Sequence, residues 1–141
     1  MPHVTLEHSA ELEPALDVPA LCAALAAAVA TIRDEAGAPA FPLGGTRVFA
    51  RASAAAAIAD GDPSNAFLYL NARIAPGRPP ETVRLLGEAL TRVVETALGP
   101  LLASRTVGWT LQIDERSASF DHKGGGNLKA RLAARDARRE A

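Results

Sequence analysis

The chain has 141 residues, 48% of them apolar, and a formal net charge of −1. That length gives one domain with a real core, the apolar fraction excludes general disorder, and the near-zero charge excludes a global field for nucleic acid or membrane. Alanine supplies much of the apolar content, and the aromatics are four Phe, one Tyr and one Trp, so the core is thin on large side chains and oligomerisation is expected to add burial.

The first predicted element is VTLEHS, a strand with Val4 and Leu6 on one face and Thr5 and Glu7 on the other. It starts oddly, with Met1-Pro2, because proline has no N–H to give a ladder. An unpaired first residue tolerates this; alternatively, removal of Met1 would leave Pro2 as the chain's only secondary amine. ELEPALDVP follows as loop, with Asp17 as N-cap and Pro19 in the first turn of a helix. Leu21, Leu25, Ala28 and Ile32 carry its apolar spacing, and Gly37 with the prolines of APAFP stops it. Cys22, the single cysteine, sits in this helix as a buried thiol and forms no internal disulfide. LCAALAAAVA is no signal peptide, since it begins late, lacks a basic leader and follows acidic sequence. With no apolar run of about 18 residues anywhere, a soluble cytoplasmic protein is expected.

LGGTRVFARAS reads as a turn into a second strand, and ADGDPSN as an exposed loop. AFLYLNARIA then alternates, with Leu68, Leu70, Ala72 and Ile74 opposite Phe67, Tyr69, Asn71 and Arg73. PGRPPE turns into a second helix with a stripe of Leu86, Leu90, Val93, Ala97 and Leu101, kinked or frayed near Gly99-Pro100. VGWTLQIDE is the last strand, with Val107, Trp109, Leu111 and Ile113 on one face. The order is βαβ twice, an architectural pseudo-repeat (2–64 and 65–116) within one domain, 2–120. It predicts an α+β fold, a two-layer α/β sandwich of a four-stranded sheet with two helices on one face. The other sheet face is left for another chain to cover. Residues 121–141 form a basic tail, read as solvated and partly helical.

Conventional catalytic signals are weak. His3, His8 and His122 lack metal-ligand spacing, GGTR and KGGGN are isolated glycine turns, and no serine sits in G-x-S-x-G. No metal or cofactor is expected. What remains is Pro2 and a few arginines at turns. Arg47 reads as readily as a solvated charge. Arg78 adjoins a helix N-terminus, which favours anions, yet Pro79 and Pro80 remove two of that terminus's donors. Alternation does not say whether Arg51 and Arg73 face a pocket, and His3 and Glu7 are expected to satisfy local hydrogen bonds, with lining the site as the lesser alternative.

PHVTLEHSAEL, then FPLGGTRV, a D-G loop and AFLYLNARIAPGR resemble in order and spacing the 5-carboxymethyl-2-hydroxymuconate isomerases of the tautomerase superfamily. The resemblance covers roughly residues 2–120. It implies two βαβ units assembled as a homotrimer with active sites near subunit interfaces, and an isomerase of aromatic catabolism (the homoprotocatechuate pathway). By the same resemblance Pro2 is the processed general base, and Arg47 and Arg78 bind a small carboxylated substrate. The segment VFARASAAAAIAD is more alanine-rich than the family's, which leaves the substrate open. The alternatives are a promiscuous tautomerase, dehalogenase or hydratase using the same proline, or a non-catalytic trimeric binding protein of the same fold.

Overall fold

The computed structural model describes residues 2–117, 120, 122 and 126–139. Strand β1 (His3–Ser9) leads through helix α1 (Val18–Thr31) to β2 (Arg47–Ser53). Strand β3 (Asn65–Ile74) leads through α2 (Pro80–Leu98) to β4 (Thr106–Glu115), and α3 (Leu128–Arg139) follows. The sheet order is β2-β1-β3-β4. Within each half the two strands are parallel, and β1 and β3 join the halves antiparallel. The two expected βαβ units are therefore present, side by side in one mixed sheet.

Helices α1 and α2 cover one face. Val4 and Leu6 of β1 and Leu68, Leu70, Ala72 and Ile74 of β3 are buried with Leu21, Leu25 and Val29 of α1 and Leu86, Leu90 and Val94 of α2. Each leucine fully removed from water there stabilises the fold by about 1.5–3 kcal/mol. His8 also lies on this face; its Nδ1 is 3.0 Å from the Ser9 carbonyl oxygen, and the Ser9 hydroxyl oxygen accepts the Phe67 amide at 3.1 Å. The buried polar groups at this end of β1 are thus paired.

Asp17 caps α1 by accepting the Ala20 amide at 2.9 Å, and proline occupies the first turn, as expected. The stripe is slightly rotated from the one predicted. Val29 is buried and Ala28 half-buried, while Ile32 lies past the last turn in extended conformation. Likewise Val94 and Leu98 are buried on α2, with Val93 and Ala97 half-buried. At Gly99-Pro100 the helix ends rather than kinks: Gly99 keeps a helical backbone and its amide donates to the Glu95 carbonyl, but Pro100 has no N–H to continue the ladder. Leu101 returns to the core from the following turn. Cys22 is half-buried against the core, and burial pushes its thiol pKa up. Part of the basic tail is the helix α3, whose Lys129 and Leu132 lean on Gly44: a Cβ there would lie 3.2 and 3.6 Å from their side-chain carbons. Among the described residues no helix is long and apolar enough to cross a membrane.

Candidate active site

Pro2 is buried at the start of β1, and its carbonyl accepts the Arg47 amide at 3.0 Å, the first rung between β1 and β2. A proline suits this place because the ladder asks its carbonyl, and not its missing N–H, for a hydrogen bond. Arg47 leaves a short 3₁₀ turn, Leu43–Gly45, closed by the Gly45 amide on the Pro42 carbonyl at 2.9 Å and the Thr46 amide on the Leu43 carbonyl at 3.1 Å. Its Nη1 donates back to the carbonyls of Gly44 (3.1 Å) and Thr46 (2.8 Å). Among the described residues its Nε and Nη2 donate to no protein group, so one edge of the guanidinium is held and the other is open.

Arg78 is positioned differently. Gly77 adopts φ +80°, a conformation that favours glycine, and Pro79 and Pro80 follow Arg78 immediately. Proline restricts the residue before it to extended backbone, so Arg78 has little freedom. Its guanidinium carbon lies 5.1 Å from the ring centroid of Phe41, which is buried at the entry to the Arg47 turn. The prolines that deprive the helix terminus of donors therefore fix this arginine over an aromatic ring, a contact worth roughly 0.5–2 kcal/mol. Pro2 thus bonds Arg47 directly, and Arg78 joins them through the 41–47 turn. Met1, whose removal the proline-base reading requires, lies outside the described residues.

Away from the helices the sheet is open, and strand register sorts its residues into rows. Arg47, His3, Arg73 and Asp114 form the first row; Phe49, Thr5, Asn71 and Gln112 the second; Arg51, Glu7, Tyr69 and Thr110 the third. Arg51 and Arg73 thus share the open face, a point that alternation left undecided. His3 was expected to satisfy a local hydrogen bond; instead its Nε2 is buried without a partner among the described residues. Burial, and then the positive charges of Arg47, Arg116 and Arg73, hold the His3 pKa below the ordinary imidazole value. Arg116 was not singled out in the sequence. It follows β4, and its amide extends the β3–β4 pairing by donating to the Ile74 carbonyl at 2.9 Å. Only the parallel register of those strands brings it to the His3 end, and nothing in its own neighbourhood signals that.

The larger concavity, about 550 Å³, lies elsewhere, in a groove between the outer sides of α1 and α2 lined chiefly by alanines such as Ala20, Ala24, Ala28 and Ala89. Its carboxylate, Asp17, is occupied as a helix cap. The groove offers shape, but its lining residues supply no free base.

The family model for 5-carboxymethyl-2-hydroxymuconate isomerase matches residues 2–132. This chain belongs to that family. Among solved structures it is similar to a 5-carboxymethyl-2-hydroxymuconate delta-isomerase, with 40% identity over 94% of this chain and 93% of the other and a TM-score of 0.87. It is similar also to a 5-carboxymethyl-2-hydroxymuconate isomerase from Deinococcus radiodurans R1, with 30% identity over 93% of each chain and a TM-score of 0.80. A fused 4-OT wild-type symmetric trimer shares the fold, at 23% identity over 92% of this chain and 97% of the other and a TM-score of 0.52. No curated protein sequence matches the chain. The family model runs into α3, so the start of that helix belongs to the family's extent.

Proposed function

We propose that this family member is an isomerase that moves a proton within a small unsaturated hydroxy-carboxylate like 5-carboxymethyl-2-hydroxymuconate, in aromatic-compound catabolism, with processed Pro2 as general base. The observation that carries this reading is the adjacency of Pro2 to Arg47, whose guanidinium is anchored on one edge and open on the other. A free α-amine has an ordinary pKa of about 7.7–8.0, and neighbouring cations disfavour its charged form. The Pro2 nitrogen then takes the enol O–H proton; the C=O forms as the double bonds shift, and the new N–H gives a proton to the far carbon of the conjugated system. Atoms and charge balance, and the amine ends as it began.

Arg47 and Arg78 bind carboxylates of the substrate and stabilise the enolate-like charge that grows as the O–H proton leaves. A planar guanidinium suits this, because its open edge pairs with a carboxylate through two parallel N–H donors. The arginines also favour a neutral proline nitrogen before the reaction, so the same charges serve binding and the base.

The assembly proposed is a homotrimer with the sites near subunit interfaces. The sheet's open face, and on its helix side the half-buried Val107, Trp109, Leu111 and Ile113 of the edge strand β4, leave surface for a second copy to cover, and the trimeric fused 4-OT has the same fold.

Two measurements test the reading. Intact mass must show Met1 removed, because retained Met1 places the Pro2 nitrogen in an amide with no basicity. Pro2→Ala keeps an amine but loses the fixed ring, and kcat is expected to fall by roughly 10²–10⁴-fold with the fold unchanged by circular dichroism. A native protein that carries Met1 and still isomerises would end the proposal.

A further inference from the structure

The open sheet face holds a second concavity, of about 340 Å³, whose walls include His3, Thr5, Arg51, Tyr69, Asn71 and Arg73. Its two ends differ in charge. Glu7 lies at the far end, in register with Arg51 and Tyr69, and four residues of strand separate it from His3, roughly 13 Å at about 3.3 Å per residue. At the near end, Arg47 and Arg73 flank His3 in strand register, and Arg116 adds its positive potential. The carboxylate in that row, Asp114, is opposite Arg73 and offsets one positive charge while accepting from two neutral amides, Asn71 Nδ2 on Oδ2 at 2.6 Å and Gln112 Nε2 on Oδ1 at 2.9 Å. Among the described residues, the strand row at the near end thus places Arg47 and Arg73 beside a buried imidazole nitrogen that has no protein partner. A buried polar atom left without a hydrogen bond is costly unless a ligand completes it, and Arg73, exposed beside it in strand register, is placed to pair an anionic one.

We propose that the His3 end of this concavity is a carboxylate-binding subsite, in which Arg73 pairs the anion and the His3 ring hydrogen-bonds to it. It holds a carboxylate-bearing arm of the substrate other than those bound by Arg47 and Arg78. Arg47 touches both regions, through its amide on Pro2 and its place beside His3, which makes the subsite continuous with the candidate active site. This inference rests on the isomerase reading for the identity of the ligand, and on the open-face geometry for its chemistry. A carboxylate supplied by the substrate and one supplied by a partner copy would satisfy the same groups; the proposal commits to the substrate.

The test uses Arg73→Gln and Arg73→Lys in the full chain, with 5-carboxymethyl-2-hydroxymuconate and with a monocarboxylate enol such as phenylenolpyruvate. Arg73→Gln is expected to raise KM for the tricarboxylate by about 10–100-fold, with kcat within about twofold and KM for the monocarboxylate unchanged. Arg73→Lys is expected to recover part of the loss, since it keeps the charge but not the fork. Equal effects on both substrates, or none on either, overturn the subsite. So does dissociation of the oligomer by Arg73→Gln in sedimentation, which assigns the arginine to a partner's carboxylate. A separate readout keeps this apart from the isomerase reading. Malonate titrated into the wild-type protein should move the His3 imidazole NMR signals and raise the ring's pKa, and Arg73→Gln should abolish both changes. Lack of turnover with intact malonate binding would refute the isomerase reading alone, and turnover without the His3 response would refute the subsite alone.

Discussion

Along β3 successive residues enter two environments. Leu68, Leu70, Ala72 and Ile74 are buried beneath the helices, whereas Tyr69, Asn71 and Arg73 look onto the open face. The hydrogen bonds that Tyr69 and Asn71 make run across to β4, Tyr69 Oη to Gln112 Oε1 at 3.0 Å and Asn71 Nδ2 to Asp114 Oδ2 at 2.6 Å. One face is held by apolar contact and tolerates no gaps; the other by charge and polar pairing in partial contact with water. The comparison teaches where this chain keeps its stability and where it keeps its chemistry. A period of two lets adjacent residues serve the two purposes separately.

The contrast is broken most strongly at neighbouring positions. Leu70→Ala leaves a cavity at a fully buried site, and a loss of about 2–5 kcal/mol is expected in urea unfolding. Tyr69→Phe, one residue away, removes only a hydroxyl from an exposed hydrogen bond and is expected to change stability by no more than about 0.5 kcal/mol. Losses of equal size would mean that the open face is a core in its own right.

The same periodicity explains what could be read in advance. The buried face of β3, the Asp17 cap, the Pro19 start and the two βαβ halves follow from local pattern, and each has a local physical cause. The one-residue offset on α1, where Val29 rather than Ala28 carries the burial, depends on how the helix sits on the sheet. Among the candidate site residues, Pro2 and the two turn arginines stood out by their settings and by resemblance. The neighbours that give those settings meaning did not. Phe41 meets Arg78 across 37 positions of sequence (78 minus 41), and Arg116 reaches the His3 end only through the parallel β3–β4 register. Pairing register is a tertiary fact, absent from either strand alone. Diproline after Arg78 reads in sequence as a loss of helix donors; the structure adds its compensating effect, an arginine with little freedom.

Within the polar region a second, smaller contrast separates Arg78, held over an aromatic ring, from Arg47, held by two carbonyls. Arg78→Ala is expected to raise KM for carboxylated substrates about tenfold or more, since a charge-assisted pair to the ligand is lost, and to cost no more stability than the roughly 0.5–2 kcal/mol of its contact with Phe41. Phe41→Leu keeps Arg78 but removes the ring's negative face, and a KM increase of only about two- to fivefold is expected. A larger effect from Phe41→Leu than from Arg78→Ala would show that the ring's packing in the turn, rather than its hold on the arginine, is what matters.

The smallest effect concerns His3, where the polar face also contributes to stability, with a definite sign. Burial and nearby guanidinium groups depress the His3 pKa in the folded chain, so over the interval from that depressed value up to the ordinary 6.5 the unfolded chain binds more protons than the folded one. By linkage, unfolding free energy then rises with pH across that window, and acidification through it removes stability. The arrangement therefore opposes folding at low pH, and is silent once both states are neutral. His3→Asn cannot titrate, so its unfolding midpoint in urea should fall less than the parent's between about pH 8 and about pH 5. Every other residue is common to the two proteins and cancels in the difference. Parallel pH profiles for parent and variant would mean that the cations do not act on the ring as their placement requires. A steeper fall in the variant would reverse the sign, meaning that His3 is stabilised as imidazolium and that the open face carries more negative charge near it than its strand register provides.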